Sequence, residues 1–67
     1  MGNLDKLNDR IRESGVKKTV LADAVGMTYI TLNRRLNGEG DFTTSQVVAI
    51  SKFLHLTASE RNEIFFD

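Results

Sequence analysis

The stretch Lys18–Gly38, KTVLADAVGMTYITLNRRLNG, decides the fold. Leu21, Ala22 and Val25 fall on one stripe of a short helix over about Lys18–Val25. Gly26 follows, and a residue without a Cβ is what a sharp turn at positive φ requires. Thr28 then offers a hydroxyl to an orphan backbone N–H, which predicts the N-cap of a second helix over about Tyr29–Asn37. Leu32 and Leu36, four apart, share one face and let this helix lie across the first. Gly38 ends it.

Outward from this pair, the periodicity predicts three more helices. Leu4, Leu7 and Ile11 form the stripe of a first helix, about Leu4–Ser14, capped by Asn3 and stopped by Gly15. Gly38-Glu39-Gly40-Asp41 is a loop by composition. Phe42 sits where a hydrophobic staple is expected, before a cap at Thr43 or Thr44. A fourth helix, about Ser45–Leu54, carries Val47, Ile50 and Leu54 on one stripe, flanked by Val48 and Phe53. Apolar over so wide an arc, it is expected to be central. Thr57 and Glu60 have capping-box spacing and open a last helix ending in Ile64, Phe65 and Phe66. The expectation is an all-α, compact five-helix domain.

Length and composition agree. Sixty-seven residues make a single domain spanning 1–67, with the two-helix unit at about 18–38. A chain this short buries only about 60% of its unfolded surface, so nearly every periodic apolar residue is expected in the core. Cysteine is absent, which points to a reducing, cytoplasmic setting without disulfides or thiolate metal sites. Proline is absent as well, removing the strongest helix breaker. No apolar run approaches the roughly 20 residues of a membrane span, and Met1–Asp9 lacks a signal-peptide pattern. His55 stands alone, so no metal site is expected. No nucleophile–base pair argues for an enzyme, and no cofactor is implied.

Two helices joined by a short glycine turn form the helix-turn-helix, which places its second helix in a DNA groove. On a helical wheel Ile30, Asn33, Arg34 and Asn37 share one face, opposite Leu32 and Leu36. Asn pairs bidentately with adenine, Arg with guanine, and an apolar tip suits a thymine methyl. Lys17 and Lys18 are placed to grip phosphate, helped by the positive end of the first helix of the pair. Thr28, Tyr29, Ile30, Asn33, Arg34 and Asn37, with those two lysines, are the candidate binding residues. Charge argues both ways. Nine Lys and Arg balance nine Asp and Glu. Between Lys17 and Asn37, however, Lys17, Lys18, Arg34 and Arg35 stand against Asp23 alone. Glu39 and Asp41 then place negative charge where a phosphate backbone would pass.

The chain resembles the Cro and lambda-repressor type of helix-turn-helix domain over about Leu7–Leu56. The matching residues are Leu21-Ala22, Gly26-Met27, Leu32 and Asn37-Gly38, then a helix with Val47, Ile50, Leu54 and Leu56. The tail Glu63-Ile64-Phe65-Phe66 is similar to small Cro-like proteins of phages infecting Gram-positive bacteria. Some of these, such as the modulator-of-repression proteins, act with the phage repressor as anti-repressors. The resemblance implies a transcriptional regulator whose Lys18 lies close to a phosphate. It implies Tyr29, Ile30, Asn33 and Arg34 facing the groove, and Asn37 touching the backbone. Three residues depart from the pattern: Lys18 replaces a usual Gln, Arg35 a usual apolar residue, and Ile30 a common polar base-reader.

Ile30 therefore carries three readings: a methyl contact in operator DNA, an anchor in a repressor protein's apolar groove, or partial burial against the preceding helix. Phe65 and Phe66 are about 100° apart on a helix, so one is expected to close the core. The other is left exposed or as a homodimer contact.

Overall fold

Asn3 opens the first helix by accepting the Lys6 backbone N–H on its side-chain oxygen. A computed structural model describes residues 3–66 as five helices in sequence. These are α1 (Leu4–Ser14), α2 (Lys18–Ala24), α3 (Tyr29–Leu36), α4 (Thr44–Phe53) and α5 (Ala58–Phe65). No strand occurs among the described residues. The helix pattern matches the periodicity of the sequence, with ends displaced by a residue. Val25 and Asn37 are C-caps rather than last helical residues, and α4 starts at Thr44 and stops at Phe53. Met1, Gly2 and Asp67, within the expected single domain, lie outside the described residues.

α2 packs on α3 and α4, and α1 packs on α3 and α5. Leu7, Leu21, Leu32, Ile50 and Ile64, one from each helix, are fully buried where these elements meet. Burying each such side chain contributes about 1.5–3 kcal/mol relative to leaving it in water. The two ends of the described chain are joined directly: the Asn3 N–H donates to the Ile64 carbonyl at 2.7 Å. Phe65 packs against the core edge-on to Phe42, with ring centroids 5.7 Å apart, while Phe66 is 63% exposed.

α4 corrects one expectation. Val48 and Phe53 do not make the helix apolar-buried over a wide arc; they are 40% and 37% exposed. Both lie about 100° or more around the helix from Val47, outside the arc that α2 and α5 cover. Ser51 occupies that arc instead, 7% exposed beside Val47, Ile50 and Leu54. The cap of α4 is Thr43, and it forms a capping box. The Thr43 hydroxyl accepts the Gln46 N–H at 3.2 Å, and Gln46 Oε1 accepts the Thr43 N–H at 2.9 Å. The box at α5 pairs Thr57 with Glu60 in the same way. The Thr57 N–H, followed by the nearby Arg10 charge, holds the Glu60 carboxyl below its usual pKa.

The turn between α2 and α3 is closed by paired backbone bonds. Gly26, at φ +75°, donates to the Asp23 carbonyl at 3.3 Å, and Met27 to the Ala22 carbonyl at 2.8 Å. This is a Schellman ending, which needs a left-handed residue at the glycine position. α4 ends with the same pair of bonds, His55 to Lys52 and Leu56 to Ser51. There His55 holds the left-handed position at φ +55°. A side chain in that conformation costs about 1–2 kcal/mol, partly offset by the chain entropy a glycine gives up. His55→Gly is therefore expected to stabilise the domain by about 0.5–1 kcal/mol. A higher urea midpoint with unchanged slope is the check, and an unchanged or lower midpoint contradicts it.

Candidate functional site

α3 owes its placement to its ends. Thr28 accepts the Thr31 N–H at 3.1 Å, and its hydroxyl donates to Thr31 Oγ1 at 2.9 Å. That hydroxyl is thus engaged in capping. At the other end, Asn8 Nδ2 of α1 donates to the Leu36 carbonyl at 3.4 Å and to the Leu4 carbonyl at 3.0 Å. Leu32 and Leu36 point inward, at 0% and 3% exposure. The opposite side is open. Ile30 is 66% and Tyr29 46% exposed, Arg34 and Asn37 are exposed, and Asn33 is half-buried. The burial reading of Ile30 is thereby overturned: the side chain stands in solvent at the first turn of α3. Lys17, just before α2, is exposed and Lys18 is half-buried.

The charge balance is spatially uneven. Lys6 reaches Glu63 at 2.6 Å and Arg10 reaches Glu60 at 3.3 Å, tying α1 to α5. Arg12 pairs with Asp9, and Arg10 also with Glu13. Four carboxylates are thus matched on the α1–α5 side. Lys17, Lys18 and Arg34 make no ion pair among the described residues. Neutral net charge accordingly conceals a basic side around α2 and α3, bordered by Glu39 and Asp41 in the following loop.

Arg35 does not belong to that free set. Its guanidinium donates to Gln46 Oε1 at 3.0 Å, the atom that also accepts the Thr43 N–H. It runs beneath Gly40, where an added Cβ would meet Arg35 Nε at 3.1 Å. Arg35 therefore ties the end of α3 to the cap of α4, in place of the apolar packing expected there. Thr43 and Gln46 are three apart, the same signal that marks Thr57 and Glu60, so this box was legible. The Arg35 contact was not. Val20, which no periodic stripe of the sequence singles out, is 51% exposed on α2.

No helix among the described residues is long and apolar enough to cross a membrane. The chain matches no family model, no curated protein and no solved structure.

Proposed function

We propose that this chain is a non-catalytic, phage-type transcriptional regulator of the Cro and lambda-repressor kind. In this reading it acts in the bacterial host cytoplasm and binds double-stranded operator DNA through α3. The observation that carries the reading is the composition of the open side of α3. Arg34 and Asn37 are exposed there beside half-buried Asn33, chemistry that fits major-groove base edges. Unpaired Lys17 and Lys18 lie next to it in the chain order of a helix-turn-helix, suited to phosphate.

Few cations are free for this task, so the salt dependence is expected to be shallow. With about 0.9 log unit per phosphate neutralised, Lys17 and Lys18 give a slope of about −2 per subunit, Arg34 being engaged with a base edge. Titration of duplexes from the intergenic DNA flanking the gene, across a salt series, measures it. An absence of binding even near 50 mM salt removes direct recognition.

A second reading rests on different side chains. Val20, Tyr29 and Ile30 are 51%, 46% and 66% exposed. Aromatic and aliphatic anchors framed by polar residues suit a protein partner's groove. On this reading the chain is an anti-repressor that binds the phage repressor and alters its hold on DNA.

A further inference from the structure

Asn37-Gly38 closes α3, and no other asparagine of the chain is followed by glycine. That order has a chemical consequence. A glycine nitrogen is the least shielded backbone nucleophile, because no Cβ stands beside it. The Asn37 Cγ is an electrophile one residue back, and joining the two closes a five-membered ring. Asn37 is exposed, and its side-chain amide has no hydrogen-bond partner among the described residues. The other asparagines differ. Asn3 and Asn8 spend their side chains on backbone groups, and Asn33 and Asn62 lie inside helices before Arg34 and Glu63.

The folded cap holds the reacting atoms apart. Asn37 sits at φ −89° and ψ 2°. At that ψ the Gly38 nitrogen eclipses the Asn37 nitrogen and stands well away from the Cβ–Cγ arm. The Gly38 N–H also donates to the Arg35 carbonyl at 3.1 Å, and the Glu39 N–H to the Arg34 carbonyl at 2.9 Å. This pair of bonds is a Schellman ending, with Gly38 left-handed at φ +90°. While it is closed, the nucleophile keeps its proton and ψ stays out of the reactive range. Helix ends, however, open at small cost in free energy.

We propose that Asn37 is a self-modifying site, deamidated when the cap of α3 opens. Hydroxide then removes the Gly38 amide proton, and the nitrogen attacks Asn37 Cγ. The N–Cγ bond forms, the Cγ–Nδ2 bond breaks, and Nδ2 leaves as ammonia with a proton from water. Water opens the resulting succinimide. Cleavage at Cγ gives aspartate; cleavage at the main-chain carbonyl gives isoaspartate, with the chain running through the former side chain. The balance is one water consumed and one ammonia released. Either product puts a carboxylate at the carbonyl end of α3, where the helix dipole, Glu39 and Asp41 disfavour it. The isoaspartyl link also adds a methylene to the backbone, so the Schellman bonds cannot re-form in register. α3 thus carries a slow, irreversible clock set by the stability of its own cap.

The test is incubation of the full chain in mildly alkaline buffer, folded or unfolded in guanidinium, followed by peptide mass spectrometry. Conversion of amide to acid is expected at Asn37 ahead of every other asparagine, as a mixture of aspartyl and isoaspartyl peptides. The folded chain should convert about tenfold more slowly than the unfolded one, the cost of opening a helix end. In guanidinium, where the fold plays no part, Gly38→Ala should slow the reaction severalfold by shielding the nitrogen. The converted chain should unfold at lower urea than its parent. Equal rates in the folded and unfolded chains overturn the gating by the cap. No conversion of the folded chain over about thirty unfolded half-times overturns the site itself. Aspartate without isoaspartate, or an unfolded Gly38→Ala chain that reacts like its parent, overturns the succinimide route. None of these readouts involves DNA, so they stand apart from the groove reading of α3.

Discussion

Leu32→Ala is expected to unfold most of the domain at ambient temperature. Leu32 is fully buried on the inward side of α3, which packs on α2 and α1. Truncation removes its transfer energy and leaves a cavity, together costing about 2–5 kcal/mol. A domain of this size holds on the order of 5 kcal/mol in total, so the loss approaches the whole. Far-ultraviolet circular dichroism and thermal melting measure it directly. Val48→Ala provides the contrast, because that side chain is 40% exposed on the outer side of α4 and its truncation should cost little. Equal melting of Leu32→Ala and the parent would show that Leu32 is not part of the core.

What made the fold legible is that its determinants are local. Gly26 with Thr28 two residues on specifies a turn and a cap within one short window, and the Leu32/Leu36 pair sets the buried side of α3. α4 was harder for a physical reason. Val47, Val48, Ile50, Phe53 and Leu54 are all apolar, and periodicity alone does not say which arc its neighbours cover. The answer depends on where α2 and α5 lie, and it leaves Val48 and Phe53 in solvent while Ser51 goes inside. Arg35 was opaque in the same sense. Counted as a free cation beside Arg34, it is committed to Gln46 eleven residues away. The candidate site was legible as a set of helix positions, since Ile30, Arg34 and Asn37 do share an exposed side. Thr28 was legible as a cap, and its hydroxyl is spent there. The use of that side is a question of partner chemistry, which neither spacing nor burial encodes.

Two substitutions on α3 divide the partner readings, and their effects are expected to be large. Arg34 is exposed and without an ion pair, so Arg34→Ala removes no internal contact of that kind. If α3 enters a major groove, the change forfeits a bidentate base contact and weakens operator binding by about 1–3 kcal/mol. Ile30→Asp acts differently. At 66% exposure the aspartate is solvated in the free chain, so circular dichroism should stay that of the parent. In a protein interface the same carboxylate would lose its water without gaining a partner, and repressor binding should disappear. Near DNA it would face phosphates, so Ile30→Asp weakens both kinds of complex and does not discriminate alone. Arg34→Ala supplies the asymmetry. Loss of DNA affinity in Arg34→Ala, with repressor binding absent in the parent, supports groove recognition. Unchanged DNA affinity in Arg34→Ala, with repressor binding lost in a folded Ile30→Asp variant, replaces the Cro-like reading with the anti-repressor. Repressor binding that survives Ile30→Asp removes α3 as the protein-binding surface, because a charge cannot be buried unpaired at the centre of an apolar contact without a large loss of affinity.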